Sequence, residues 1–137
     1  MAVVEELIRS ESDEAISFGN HKLDQKAKKE DFEFQGDIYK VKTFGTMTKL
    51  EKNGMFLYES VPGTSVNNFR EAAGGLSFDV EGSGDAQLTL GLAEDTEYQV
   101  RINGADAGKV KTNLGGKLSL SVELSEGSEV RVEVTNC

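Results

Sequence analysis

Residues 76 to 134 alternate apolar and polar side chains in one run after another: Leu76-Ser-Phe78-Asp-Val80, Leu88-Thr-Leu90-Gly-Leu92, Tyr98-Gln-Val100-Arg-Ile102, Leu118-Ser-Leu120-Ser-Val122-Glu-Leu124 and Val130-Arg-Val132-Glu-Val134. A period of two sends every second side chain to one face of a sheet, so each run has a dry face and a wet one. Runs of this length, punctuated by Gly, Asn, Asp and Ser, describe antiparallel sheets packed face to face. The expected fold class is therefore all-β: an antiparallel β-sandwich, jelly-roll or Ig-like, of roughly ten short strands. Its core should draw on Phe78, Val80, Leu88, Leu90, Val100, Ile102, Leu118, Leu120, Val122, Val130 and Val132.

The first half is less regular. Ile16-Ser-Phe18 precedes the turn dipeptide Gly19-Asn20, Phe32-Glu-Phe34 precedes Gly36-Asp37, and Ile38 to Phe44 is strand-like. Asn53-Gly54 suits a type I′ hairpin turn, which needs two residues of positive φ; across it Leu50 should face Leu57, and Glu51 should face Phe56. Ile102-Asn103-Gly104 is a second hairpin candidate, whose return strand departs from strict alternation near Gly108 and so should carry a bulge. Val61 to Gly75, with Pro62-Gly63 at its start, lacks alternation and reads as a long connection between the halves.

At the N-terminus, Val3, Val4, Leu7 and Ile8 recur at helical spacing, with Glu5, Glu6 and Arg9 on the opposite side. This predicts a short amphipathic helix that must dock on something, because a helix under ten residues does not persist alone in water. The domain plan is then a helix and connector over residues 1–14 and a single sandwich over residues 15–137.

The chain's 137 residues carry a net charge of −9. Residues 1–70 hold ten Lys/Arg against twelve Asp/Glu, and residues 71–137 hold five against twelve. Such a surface repels phosphate backbones and anionic lipid heads, so neither nucleic acid nor membrane is an expected partner. The basic run Lys22 to Lys29 is interleaved with acids and reads as a solvated loop or helix. Cys137 is the sole cysteine, which excludes an internal disulfide. With no signal-peptide pattern at the N-terminus, a cytoplasmic location is the expectation.

Chemistry-bearing patterns are sparse. His21 is the only histidine and follows a predicted turn, where an exposed side chain without a role is expected. No nucleophile elbow is present, and zinc sites of the common kind need several His or Cys ligands. The acid groups Glu81/Asp85 and Glu94/Asp95/Glu97 fall in turns, as do Gly82-Ser-Gly84 and Gly115-Gly116, which lack the following helix of a phosphate cradle. A weak calcium site at the acid groups is the one open alternative, unsupported by any Asp-x-Asp-x-Asp-Gly loop. We therefore expect no enzyme, no cofactor, and no catalytic, cofactor-binding or metal-ligating residues. A carboxylate-based glycosidase is the activity to test against that expectation.

The stretches Ile16-Ser-Phe-Gly-Asn20, Lys26-Ala-Lys-Lys-Glu-Asp-Phe-Glu-Phe-Gln-Gly36, Tyr39-Lys-Val-Lys-Thr-Phe44 and Leu57-Tyr-Glu-Ser-Val-Pro-Gly63 together resemble a group of short proteins of anaerobic bacteria, some of which carry the label endosialidase. The sialidase Asp-box, Ser-x-Asp-x-Gly-x-Thr-Trp, is not met: in Ser83-Gly-Asp85-Ala-Gln-Leu-Thr89-Leu, Gln87 and Leu90 stand at the Gly and Trp places. From Tyr98 to Val122 the chain is similar to accessory β-sandwich modules of glycan-degrading enzymes, which implies a sandwich fold.

The functional expectation is a non-catalytic structural protein that assembles into a homo-oligomer or docks on a protein partner. Its candidate interface is Val3, Val4, Leu7 and Ile8 on the helix, with Phe56 and Tyr58 on a hairpin that is apolar on both faces. An intramolecular role for the helix, capping the sandwich, stays open. The alternative class is a small glycan-binding module, ranked second because tryptophan is absent and sugar recognition leans on aromatic stacking.

Overall fold

A computed structural model describes residues 3–137, and within them the chain forms thirteen strands in two antiparallel sheets. In chain order these are β1 (Ile8–Ser10), β2 (Ile16–Phe18), β3 (Ala27–Phe34), β4 (Asp37–Thr43), β5 (Thr48–Lys52), β6 (Met55–Val61) and β7 (Ser65–Ala72). There follow β8 (Gly75–Glu81), β9 (Ala86–Gly91), β10 (Glu97–Ile102), β11 (Ala105–Lys111), β12 (Lys117–Val122) and β13 (Val130–Asn136). One sheet has the order β1-β2-β7-β8-β13-β10-β11 and the other β12-β9-β6-β5-β4-β3. The expected sandwich is present, and the alternating runs of the second half became β8, β9, β10, β12 and β13.

The N-terminal helix is not present. Val4 and Ile8 are both buried, as the spacing of four required, but a turn between them does the work of a helical turn. Leu7 takes a φ of +73°, outside any right-handed helix. The backbone groups pair instead with the chain after β2: Val4 N–H donates to Gly19 O at 3.0 Å, and Gly19 N–H donates to Leu7 O at 3.0 Å. Residues 3–14 thus belong to the sandwich edge and are no separate appendage. Met1 and Ala2, the start of the expected helix, lie outside the described residues.

The first half of β3 and the whole of β7 were illegible as strand. β3 is an edge strand with four successive charges from Lys28 to Asp31 and a bulge around Asp31, φ +59°, and it absorbs part of the Lys22–Lys29 run. Such charges and bulges keep an edge from pairing with other chains. β7 occupies the segment read as a long connection. Its core-facing residues are Val66 and Phe69, three apart because a bulge at Asn68, φ +57°, shifts the register, so no alternation shows.

The hairpin turns follow expectation. Asn53-Gly54 (φ +53° and +78°) and Asn103-Gly104 (φ +53° and +82°) both take the left-handed pair of a type I′ turn. In the β10–β11 hairpin the register slips opposite Val100, beside Gly108 at φ +102°. The turn after β3 centres on Gln35-Gly36, one residue earlier than expected. In the β5–β6 hairpin Glu51 faces Phe56 as expected, but Leu50 faces Tyr58, because Leu57 is the extra residue of a bulge. That bulge buries Leu57 and Tyr58 together, so the hairpin does not offer two apolar faces.

Of the expected core residues, Ile102 and Leu120 are only partly buried and the rest are inside. Four aromatic rings fill the middle: Tyr58 meets Phe18 edge-on at 5.2 Å and Phe78 at 5.6 Å, while Phe69 stacks on Phe78 at 5.6 Å. Burial pushes the Tyr58 hydroxyl above the ordinary phenol range, against the pull of hydrogen bonds with Thr64 and Ser60.

One end of the core is polar. Thr43, Thr48 and Ser60 lie side by side across β4, β5 and β6 and point inward with no exposure. Thr48 Oγ1 donates to Thr64 O at 2.7 Å and accepts from Thr64 N–H at 3.1 Å. Thr64 Oγ1 lies 2.7 Å from both Tyr58 Oη and Ser60 Oγ. Thr43 Oγ1, 2.8 Å from Thr48 Oγ1, accepts the Asn20 N–H at 2.9 Å. This chain of hydroxyls holds the Pro62–Ser65 crossing between sheets and the loop after β2 against each other.

Candidate functional site

That crossing positions a cluster at the end of the seven-stranded sheet where β2, β7, β8 and β13 are neighbours. Gly19, at φ +96°, lets the chain turn against β7; a Cβ there would stand 2.6 Å from Thr64 O. Two residues on, His21 N–H donates to Ser65 Oγ at 3.2 Å and its ring Nδ1 lies 2.7 Å from the same oxygen. His21 is 4% exposed, so the sequence expectation of an exposed, idle histidine is overturned. The cause is tertiary: a turn residue in sequence is covered here by β7 and by the β12–β13 loop.

Two carboxylates meet the imidazole. Glu81, the last residue of β8, pairs with Ser65 across the sheet and is 7% exposed. One of its oxygens accepts the Gly127 N–H at 2.9 Å. Glu126 comes from the β12–β13 loop, which the Ser125–Ser128 bridge closes. Its Oε1 lies 3.4 Å from His21 Nε2 and 3.3 Å from Lys22 Nζ, and its Oε2 accepts from Ser83 Oγ at 3.2 Å. Desolvation acts to raise the Glu126 carboxyl, but hydrogen bonds from His21, Lys22 and Ser83 outweigh it and hold the group below the usual carboxylate range. One ligating atom from each of His21, Glu81 and Glu126 lies within 4.8 Å of the others.

Ser65, His21 and Glu126 have the residue types of a hydrolytic triad but not its geometry. Ser65 is fully buried, where no acyl group can reach it. Nucleophilic catalysis needs an accessible hydroxyl beside a site for the reacting carbonyl. Here the serine fixes the ring.

The interface residues expected from the sequence fall elsewhere. Val4, Ile8 and Tyr58 are core residues, Val3 and Leu7 are half-buried, and Phe56 is half-buried under Lys117, whose Nζ sits 4.8 Å from the ring centre. Tyr58 and Tyr98 are both buried, so neither offers a ring to a sugar. Tyr98 closes a cleft of about 440 Å³ with Glu71, Thr96 and Asn136, and its hydroxyl accepts the Ala93 N–H at 3.1 Å. Asp95 pairs with Lys111 at 3.2 Å. No helix among the described residues is long and apolar enough to cross a membrane.

Sequence reading missed the roles of Ser65, Glu81 and Glu126 around His21. Comparison with protein families, with curated proteins and with solved structures finds no match.

Proposed function

We propose that the chain is a non-catalytic structural β-sandwich protein that works by association with further copies of itself. The observation that supports this reading is an apolar rim on the six-stranded sheet. The β3–β4 and β5–β6 turns lie side by side there, joined by Asn53 Nδ2 donating to Asp37 Oδ1 at 2.8 Å. Ile38 and Met55 stand on this rim at 46% and 72% exposure. Large apolar side chains grouped on an exposed rim favour a protein contact over water. Acids and bases are interspersed around them (Glu30, Asp31, Asp37, Lys40, Glu51, Lys52), so a second copy related by a two-fold axis can set opposite charges against the rim. The second copy replaces the helix-mediated contact, which the fold does not provide. The lone cysteine suits a reducing, cytoplasmic setting.

Light scattering at tens of micromolar on Cys137→Ser protein tests the reading, since that substitution removes disulfide dimers. A defined oligomer that reverts to monomer in Ile38→Asp/Met55→Asp is expected. A monodisperse monomer for the parent chain rejects self-association, and micromolar binding on a glycan array would replace it with the glycan-binding reading.

A further inference from the structure

The donor set at the end of the seven-stranded sheet is built like a ligand cage. An acidic cluster alone is common on surfaces, but here a buried imidazole, its Nε2 3.4 Å from Glu126 Oε1, lies within 4.8 Å of two carboxylates of which one is itself buried. We propose that His21, Glu81 and Glu126 bind a divalent transition ion of the zinc type, which joins the loop after β2, the end of β8 and the β12–β13 loop.

Each ligand is prepared for the role. The Ser65 hydroxyl can accept the proton of Nδ1–H, which fixes the ring and leaves the Nε2 lone pair for an ion; such an outer partner accompanies most metal-bound histidines. With the proton on Nε2 instead, the same hydroxyl donates to Nδ1 and Nε2–H donates to Glu126. Serine serves both tautomers. Glu81 is oriented by the Gly127 N–H, and a carboxylate with one such bond keeps lone pairs to spare. A four-coordinate zinc site with bonds of about 2.0–2.2 Å sets its ligand atoms about 3.4 Å apart. His21 Nε2 and Glu126 Oε1 are already at 3.4 Å, and Glu126, half-exposed, can shift to close the remaining gap.

Charge favours a cation. Two carboxylates face the imidazole, and the ammonium in reach is that of Lys22, itself half-exposed and able to swing into solvent. The nitrogen donor and the small ligand number select zinc-like ions over calcium, which takes six to eight oxygens. Three protein ligands leave a position for water, so the site is open.

The test uses the full, tag-free chain stripped with chelator, because a purification tag would supply competing histidines. Calorimetric titration with Zn²⁺ should give one ion per chain at low-micromolar affinity. The ring resonances of the single histidine should move with the titration. At free Zn²⁺ about a hundredfold above Kd the melting temperature should rise by roughly 10 °C. Glu126→Gln should weaken binding about tenfold or more, and the rise in melting temperature at a given Zn²⁺ concentration, taken from that variant's own value in chelator, should shrink accordingly. Lys22→Ala should tighten binding a few-fold by removing the competing cation. Failure to saturate below about 100 µM Zn²⁺, wild-type affinity in Glu126→Gln, or equally tight binding of Ca²⁺ would each overturn the proposal.

Discussion

Replacing Thr48 by valine probes the buried hydroxyl chain without opening a cavity, because the two side chains have nearly the same shape. Thr48 Oγ1 serves three partners: it donates to Thr64 O at 2.7 Å, accepts Thr64 N–H at 3.1 Å, and lies 2.8 Å from Thr43 Oγ1. Because Thr48 donates to Thr64 O, the Thr43 hydroxyl is the donor to Thr48. Its own oxygen is occupied by the Asn20 N–H. Valine therefore strands a buried N–H, a buried C=O and a buried O–H. At about 1–3 kcal/mol for each polar group left unsatisfied, and with two of the three unable to re-pair, the loss is about 2–6 kcal/mol. That is a large share of the roughly 5–15 kcal/mol that stabilises a domain. Urea unfolding followed by circular dichroism at neutral pH measures it, with Thr135→Val on the exposed end of β13 as the control that should change stability by less than about 0.5 kcal/mol. A loss below about 1 kcal/mol at Thr48 would refute the reasoning, since the three groups would then have found water or other partners. The same substitution should loosen His21, because Thr64 and Ser65 are adjacent and share the crossing that Thr48 anchors.

Two further outcomes follow from packing and charge. Leu88, with no exposure, should lose about 2–5 kcal/mol on Leu88→Ala, whereas Leu120→Ala, on a partly buried edge-strand residue, should lose well under half as much; equal losses in urea unfolding would contradict the burial difference. The Glu11 carboxyl is held below its usual range by the Ser17 hydroxyl, 2.8 Å away, and then by Arg9, so its contribution is present above the unfolded carboxylate range and is lost as pH falls through the lowered folded value. The stability gap between pH 7 and pH 3 should therefore narrow in Glu11→Gln, and an unchanged gap would remove Glu11 from the acid response.

What the sequence made legible depended on whether a strand has one wet face. β8, β9, β10, β12 and β13 do, and their alternation read directly. The first half of β3, from Lys28 to Asp31, is charged on both sides because an edge strand must discourage further pairing, so only its Phe32–Phe34 end reads as strand. β7 carries a bulge at Asn68 that sets its core residues Val66 and Phe69 three apart, which erases its period. Val4 and Ile8 satisfied the helical spacing while a turn, held by Gly19, satisfied the backbone; periodicity over so few residues cannot separate the two. The cluster at His21 was hidden for a different reason. Its three ligating residues lie far apart along the chain and meet through the order β2-β7-β8-β13, which no local pattern specifies. Yet one trace of it is local. Thr43, Thr48 and Ser60 continue the inward series of Val41, Leu50 and Tyr58 with hydroxyls at the same end of three adjacent strands. A core that turns polar at one end does so because backbone crosses there and its N–H and C=O groups need partners. Inward hydroxyls that align across neighbouring strands therefore mark the end of a sandwich where loops are pinned, and pinned loops are where distant side chains can be held close enough to share a ligand.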